Sequence, residues 1–274
     1  LMGVTHVIRG EEWLSSVPKH IYLYRSFGWN LPVFVHLPLL LNTDRSKLSK
    51  RQGDVAVESY LERGYLPEAL LNFIALLGWH PADDRELFTL DQLIEEFSLD
   101  RINRAGAVFD VDKLNWMNGW YIRNFDVADV SERARPFYES AGIDISDQEK
   151  FRKVITVARD YVSCLEEIVE RGRMFYEQFI FSDEQQELLK EETSRKILAR
   201  WIDEMSKMPN WSREDSDRFT KESMKELDLK GKQFYFPLRL ALFGNTHGPD
   251  IPTLIDILGV DEATGRLRRA MEIS

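Results

Sequence analysis

The chain has 274 residues, 43% of them hydrophobic and 30% charged, with 15 Gly and 10 Pro, which excludes a mostly disordered or collagen-like chain and suits more than one folded core. Its net charge of −10 argues, taken by itself, against a nucleic-acid binder. The one cysteine, Cys164, excludes an internal disulfide and a cysteine-rich zinc site, and no run of about 18 apolar residues offers a membrane-spanning helix.

Val4–Arg9 is rich in β-formers and ends at Gly10, a turn signal. Leu14, Val17, Ile21 and Tyr24 then recur at intervals of 3, 4 and 3, predicting an amphipathic helix with Ser15, Ser16 and Pro18 near its start and a stop around Gly28. Val33–Leu37, between Pro32 and Pro38, reads as a second strand, so the first forty residues form a strand–helix–strand unit of a parallel sheet. Such a sheet needs further strands, and nothing after residue 45 is expected to supply them. The chain is therefore expected to lack part of the domain to which this unit belongs. Residues 1–30 show no basic stretch followed by an apolar one, so no secretory signal is visible.

From Asp54 onward the pattern is almost entirely helical. Tyr60-Leu61 and the run from Pro67 to Leu77 are expected as helices closed by Gly64 and Gly78, with Pro67 in the first helical position. Thr89 and Gln92 form a capping-box pair ahead of Leu93 and Ile94. A helix is expected over Asp112–Asn118 with Gly119 as its stop, and the charge-rich stretch Phe125–Glu132 reads as a boundary. Amphipathic segments follow at 132–140, 148–171, 184–207, 213–228 and 232–243, then a turn-rich loop at Gly244–Pro249 and short helices over 252–258 and 261–271. Cys164 falls in a helical-looking segment and is expected to be a small buried hydrophobe.

Charge is distributed unevenly. Residues 1–60 carry a net +2 and the remainder −12, and the densest cationic stretch, Asp44–Arg51, sets four positive residues against one negative. Within it, Lys47-Leu48-Ser49-Lys50-Arg51 follows a strand and a turn. Two ammonium groups three residues apart suit a polyphosphate and can stabilise charge on a departing pyrophosphate; a solvated basic loop has the same composition. The five histidines, His6, His20, His36, His80 and His247, show no i, i+4 pair with an acidic partner. They read as structural, and no metal site is expected.

Several blocks occur together in order: Val7-Ile8-Arg9-Gly10-Glu11-Glu12-Trp13-Leu14-Ser15-Ser16, Pro18-Lys19-His20, His36-Leu37-Pro38-Leu39-Leu40-Leu41-Asn42, the Lys47–Arg51 loop, Gly64–Asn72, Leu77-Gly78-Trp79, Lys113-Leu114-Asn115-Trp116 and Tyr121-Ile122-Arg123. In this the chain resembles the class I aminoacyl-tRNA synthetases, and within them the bacterial-type glutamyl-tRNA synthetases. The likeness thins over 126–230 and returns at Gly231-Lys232, Pro237-Leu238-Arg239 and Thr246-His247-Gly248-Pro249.

The resemblance implies a mainly α chain: the remnant of a Rossmann-like parallel α/β catalytic domain over 1–52, a helical stem-contact domain over 53–125 and an all-helical anticodon-binding domain over 126–274. It implies activation of glutamate with ATP, Mg2+ accompanying the ATP, and transfer to the 3′ end of tRNA(Glu). Lys47 and Lys50 correspond to the catalytic lysines of the signature loop, and Lys50 with Leu39, Leu40 and Glu12 corresponds to ATP contacts. Arg9 corresponds to the arginine that holds glutamate, with Trp13 in the substrate pocket. Arg51, Tyr161 and Thr246 correspond to tRNA contacts. A cytoplasmic monomer without membrane association is expected.

Two departures stand out. The family's His-x-Gly-His element is absent, the only His-Gly being His247-Gly248, so the chain reads as a C-terminal portion inactive by itself. Tyr161 stands where many members have an arginine, which puts strict discrimination between glutamate and glutamine anticodons in doubt. The alternative is a non-catalytic tRNA-binding module derived from a synthetase; retention of Arg9, Lys47 and Lys50 favours descent from an active enzyme.

Overall fold

The computed structural model describes residues 2–48, 56–208 and 211–273. The chain divides into two compact units, Leu1–Phe125 with Ser163–Leu165, and Asp126–Val162 with Glu166–Ser274.

The first unit opens with β1 (His6–Gly10), a 3-10 turn over Glu11–Ser16, α1 (Val17–Ser26) and β2 (Val33–Leu37). β1 and β2 pair in parallel, with His6 opposite Val33 and Gly10 opposite Leu37. Pro18 sits in the first turn of α1, where a missing N–H costs nothing. β3 (Leu40–Leu41), α2 (Val57–Glu62), α3 (Pro67–Gly78), α4 (Leu90–Glu96), β4 (Ala107–Val108) and α5 (Val111–Asn124) follow.

Strand β4 corrects the expectation that nothing beyond residue 45 supplies a strand, since it pairs in parallel with β3, Leu40 opposite Ala107. Two residues are too few to show a period, and the approach depends on Gly106, where a Cβ would come within 2.7 Å of the Leu41 side chain. Helix α5 also runs through Gly119 instead of stopping there. A mid-helix glycine costs about 1 kcal/mol against alanine, and tertiary bonds around it hold the helix regardless. Asn118 Oδ1 accepts from the Leu66 N–H at 2.8 Å and its Nδ2 donates to the Ser163 carbonyl at 2.6 Å. Tyr121 Oη donates to the Phe88 carbonyl at 2.6 Å. The core of this unit gathers Tyr65, Leu66, Ala69, Phe73, Leu114, Met117 and Ile122, with Trp79, Phe88 and Leu93 as a cluster. The Thr89–Gln92 capping box forms as expected. Cys164 is buried, in a bend and not in a helix.

The second unit is helical throughout: α6 (Val127–Ser140), α7 (Gln148–Ala158), α8 (Ile168–Gly172), α9 (Asp183–Lys190), α10 (Glu192–Lys207), α11 (Arg213–Glu226), α12 (Lys232–Phe243), α13 (Ile251–Leu258) and α14 (Val260–Met271). The stretch expected as a boundary forms the start of α6, with Asp126 accepting from the Ala128 N–H as its cap. Residues 148–171 form no single helix: α7 ends at Ala158 and 3-10 turns intervene before α8. Residues 184–207 likewise break at Glu191, whose backbone is extended at ψ 137°. At about 100° per residue, one continuous helix would place Leu189 on the opposite side from Leu198. The break lets Leu189 enter the core with Ile197, Leu198, Trp201 and Met205. Gly244 closes α12 in the left-handed region at φ 73°, where glycine has no steric penalty.

Candidate substrate-binding site and its relatives

Arg9 and His36 are register partners across β1 and β2, so their side chains leave the same face of the sheet. Arg9 Nε donates to His36 Nε2 at 3.3 Å, Arg9 Nη1 lies 3.4 Å from His20 Nδ1 on α1, and the guanidinium carbon lies 5.7 Å from the centre of the Phe34 ring. Arg9 Nη2 is buried with no hydrogen-bond partner among the described residues. Among the described residues no carboxylate forms an ion pair with Arg9. A guanidinium held by two imidazoles and a phenyl ring keeps its full charge for an incoming anion, and its planar fork suits a carboxylate.

The turn after β1 places two acids near this arginine in sequence. Glu11 Oε1 accepts from the Leu39 N–H at 3.4 Å, and the exposed Glu12 carboxylate fills the space where a side chain at Gly10 would stand. Trp13 is exposed, Leu40 is exposed on β3 and Leu39 is half-buried, its carbonyl accepting from the Ala107 N–H at 3.1 Å.

Residues 42–46 form a tight turn. Asn42 donates from its backbone N–H to the Ser46 carbonyl at 2.8 Å and from Nδ2 to Ser46 Oγ at 2.8 Å, and the Ser46 N–H donates to Asp44 Oδ1 at 2.8 Å. Hydrogen bonds from Ser46 hold the Asp44 carboxyl below the usual carboxylate range. Arg45 takes φ 65°, an unusual conformation for a long side chain. Lys47 follows, bridged through its backbone to Leu41, with its side chain exposed and, among the described residues, in no ion pair. Lys50 and Arg51 lie outside the described residues.

In the second unit Tyr161 is exposed on the 3-10 turn after α7. Thr246 is half-buried in the loop after α12, its Oγ1 3.1 Å from His247 Nδ1, and the His247 ring stands 5.6 Å from that of Phe236. A separate cleft of about 390 Å3, lined by Phe73, Leu76, Leu77, Arg104 and Lys113 among others, contains none of the expected site residues.

The structure thus brings Arg9 together with His20 and His36, two histidines that read from sequence as merely structural. The signal was partial: pairing the two predicted strands in parallel brings Arg9 and His36 to the same end of the sheet, and the observed register sets them side by side.

Residues 1–116 match the catalytic domain of class I tRNA synthetases (E and Q), and residues 129–271 match an anticodon-binding domain. The second match covers more than half of the chain, which therefore belongs to the anticodon-binding domain family. Its relatives include the glutamate–tRNA ligase of Carboxydothermus hydrogenoformans, 46% identical over 97% of this chain, and that of Clostridioides difficile, 42% identical over 97%. The crystal structure of a glutamate tRNA ligase from Elizabethkingia meningosepticum in complex with its amino acid superposes over 100% of this chain with a TM-score of 0.88 at 30% identity. The chain spans 57%, 56% and 58% of these proteins respectively, a little over half of each. The mainly helical fold with its small parallel sheets is the one expected from the sequence.

Proposed function

We propose that the whole protein is a glutamate–tRNA ligase. A glutamate carboxylate oxygen attacks the α-phosphorus of ATP and pyrophosphate leaves; a hydroxyl at the 3′ end of tRNA(Glu) then attacks the glutamyl carbonyl and AMP leaves. The observation that carries this reading is the match to glutamate–tRNA ligases along 97% of the chain, at 46% identity for that of Carboxydothermus hydrogenoformans.

In this reading residues 1–52 close the catalytic domain, 53–125 contact the tRNA stem and 126–274 bind the anticodon. Arg9 grips the substrate carboxylate, with Trp13 in the same pocket. Leu39 and Leu40 flank the adenine and Glu12 contacts ATP. Lys47 and Lys50 neutralise the triphosphate as charge develops on the leaving pyrophosphate, an electrostatic role supported by the exposed ammonium of Lys47, which forms no ion pair among the described residues. Arg51, Tyr161 and Thr246 contact tRNA, and an exposed tyrosine suits stacking on an unpaired base.

Mg2+ travels with the ATP phosphates as part of that substrate. Among the described residues no group of three or more His, Cys, Asp or Glu could hold a metal ion, and no helix is long and apolar enough to cross a membrane. A monomer working in the cytoplasm completes the proposal.

The test is a chimera joining this chain to the part of the Carboxydothermus ligase that lies outside the matched span. Residues 1–274 by themselves are expected to charge no tRNA, whereas the chimera charges tRNA(Glu) with glutamate. Lys47→Ala in the chimera is expected to lower kcat by about tenfold or more. Retained tRNA binding with no charging would favour a non-catalytic module. Filter binding of tRNA(Glu) and tRNA(Gln) transcripts to wild type and Tyr161→Arg tests the anticodon role. Preference for tRNA(Glu) is expected to sharpen with the arginine, and equal preference in both removes Tyr161.

A further inference from the structure

We propose that His36, assisted by His20, is a positioning residue that aims Arg9 at the substrate carboxylate, and that it does so only while its imidazole is neutral; this rests on the ligase reading, in which Arg9 grips glutamate.

The donor inventory fixes the protonation pattern. A guanidinium has five N–H donors and no acceptor. The ring nitrogens facing Arg9, His36 Nε2 at 3.3 Å and His20 Nδ1 at 3.4 Å, therefore offer lone pairs. His36 then carries its proton on Nδ1 and His20 on Nε2. Both contacts lie at the long end of the hydrogen-bond range, as catalytic contacts often do before a ligand tightens them. Together with the Phe34 ring at 5.7 Å they fix the plane of the guanidinium. Arg9 Nη2 is left buried and, among the described residues, unpartnered, the donor that an arriving carboxylate oxygen takes.

An arginine locked by a protein carboxylate would have its charge already satisfied. Two neutral imidazoles hold the same geometry without neutralising it. Imidazoles ordinarily change charge between about pH 5 and 8. Protonation removes the lone pair that receives Arg9 and sets a second cation beside the first, so the guanidinium loses its support.

The other titratable or charged groups on the elements around Arg9 are His6 on β1, Glu11 and Glu12 on the following turn, and Lys19, Tyr22, Tyr24 and Arg25 on α1. Glu11 is engaged with the Leu39 N–H and His6 with the Thr5 hydroxyl. Among the described residues none of these groups bonds to Arg9, which leaves the two histidines as the ionisable side chains in contact with it.

The experiment uses the chimera described above, with KM for glutamate and for ATP measured from pH 5.5 to 8.5 in wild type, His36→Leu and the double variant His20→Gln/His36→Gln. Glutamine keeps an acceptor oxygen that does not titrate in this range. In wild type the KM for glutamate is expected to rise as pH falls, by about tenfold, and the glutamine pair is expected to flatten this rise. His36→Leu is expected to raise the KM for glutamate about tenfold at pH 8 while leaving that for ATP unchanged. Identical pH profiles in wild type and the glutamine pair, or an unmoved KM in His36→Leu, overturn the proposal. A second measurement is independent of turnover: nitrogen-15 NMR of the 274-residue chain is expected to find His36 protonated on Nδ1, shifting when Arg9→Leu removes the donor. A His36 protonated on Nε2 overturns the positioning role. An inactive wild-type chimera counts against the ligase reading, and the tautomer still decides the role of His36.

Discussion

The strand–helix–strand segment of the first unit and the helical second unit bury their apolar side chains to very different degrees. In the 3-10 turn after β1 and in α1 no residue is buried, although Trp13, Leu14, Tyr22, Leu23 and Phe27 lie there or just beyond. In the second unit each of α6 to α14 buries at least one residue. The large apolar side chains left exposed there, among the described residues, are Tyr161 and Ile180. Parallel strands are almost always covered on both faces, whereas Ile8 on β1 and Val33 on β2 are about half exposed, as are Leu14 and Leu23 between them. The difference separates two things that folding needs. Local signals such as β-branched runs and a first-turn proline are enough to define the strands and helix, whereas burial depends on what else packs there.

The sharpest way to break this contrast is to cut into the second unit's core. Trp201 on α10 is 0% exposed, 6.0 Å ring to ring from Trp211 and 5.3 Å from Phe219. Trp201→Ala is expected to cost about 3 to 5 kcal/mol, the range for deleting a large buried aromatic side chain. Urea denaturation followed by far-ultraviolet circular dichroism measures it. A loss below about 1 kcal/mol would mean that the second unit is not organised around this side chain.

The same contrast governs what could be read from the sequence. Spacing within one element was legible: Val17, Ile21 and Tyr24 of the 3-4-3 rhythm fall in α1 (Leu14 belongs to the preceding 3-10 turn), Thr89 with Gln92 gave the capping box, and the stretch 232–243 matched α12 to the residue. Features fixed by tertiary contact were not. β4 is two residues long and exists because β3 pairs with it. The break at Glu191 keeps the helical rhythm on both sides and shows only when Leu189 and Leu198 must share a core. The run of α5 through Gly119 depends on Asn118 bonding to Leu66 and Ser163. Of the expected site residues, Arg9, Trp13 and Lys47 could be singled out from motifs and Tyr161 from a departure from the family pattern. The bonds from Arg9 to His36 and His20 needed the strand register, because the histidines lie 27 and 11 positions away.

Acid sensitivity sharpens the comparison on a smaller scale. In the first unit α1, α2 and α3 lack a side-chain cap while α4 and α5 begin on Thr89 and Asp110; in the second α8, α10, α12 and α14 lack one while α6, α7 and α13 begin on Asp126, Asp147 and Asp250. Burial opposes ionisation of Asp250, but bonds from the Thr253 N–H at 2.8 Å and Arg213 Nη2 at 2.6 Å outweigh it and hold the carboxyl below its ordinary value. A carboxyl lowered by folding contributes stability that is fully present above its unfolded pKa, about 3.9, and disappears as pH falls through the lower folded value. Asp250→Ala is therefore expected to cost about 1 kcal/mol at pH 7. Urea titrations at pH 7 and at successively lower pH should show the two proteins converging below about pH 4. A gap that persists undiminished in strong acid would assign the loss to packing rather than to the charged cap.

The smallest effect is expected where the first unit meets solvent. Tyr22 on α1 is 72% exposed and has no buried neighbour on its own helix. Tyr22→Ser should leave the urea midpoint within the range of surface substitutions, about ±0.5 kcal/mol. It should also weaken any concentration-dependent self-association of the chain in sedimentation velocity, because an exposed apolar face drives association. A loss of more than about 1 kcal/mol would show that α1 draws real packing energy from this face, and the contrast between the two regions would fail where it is widest. A null effect on stability combined with reduced association would instead show that the face is apolar for contact with another surface and not for holding its own helix.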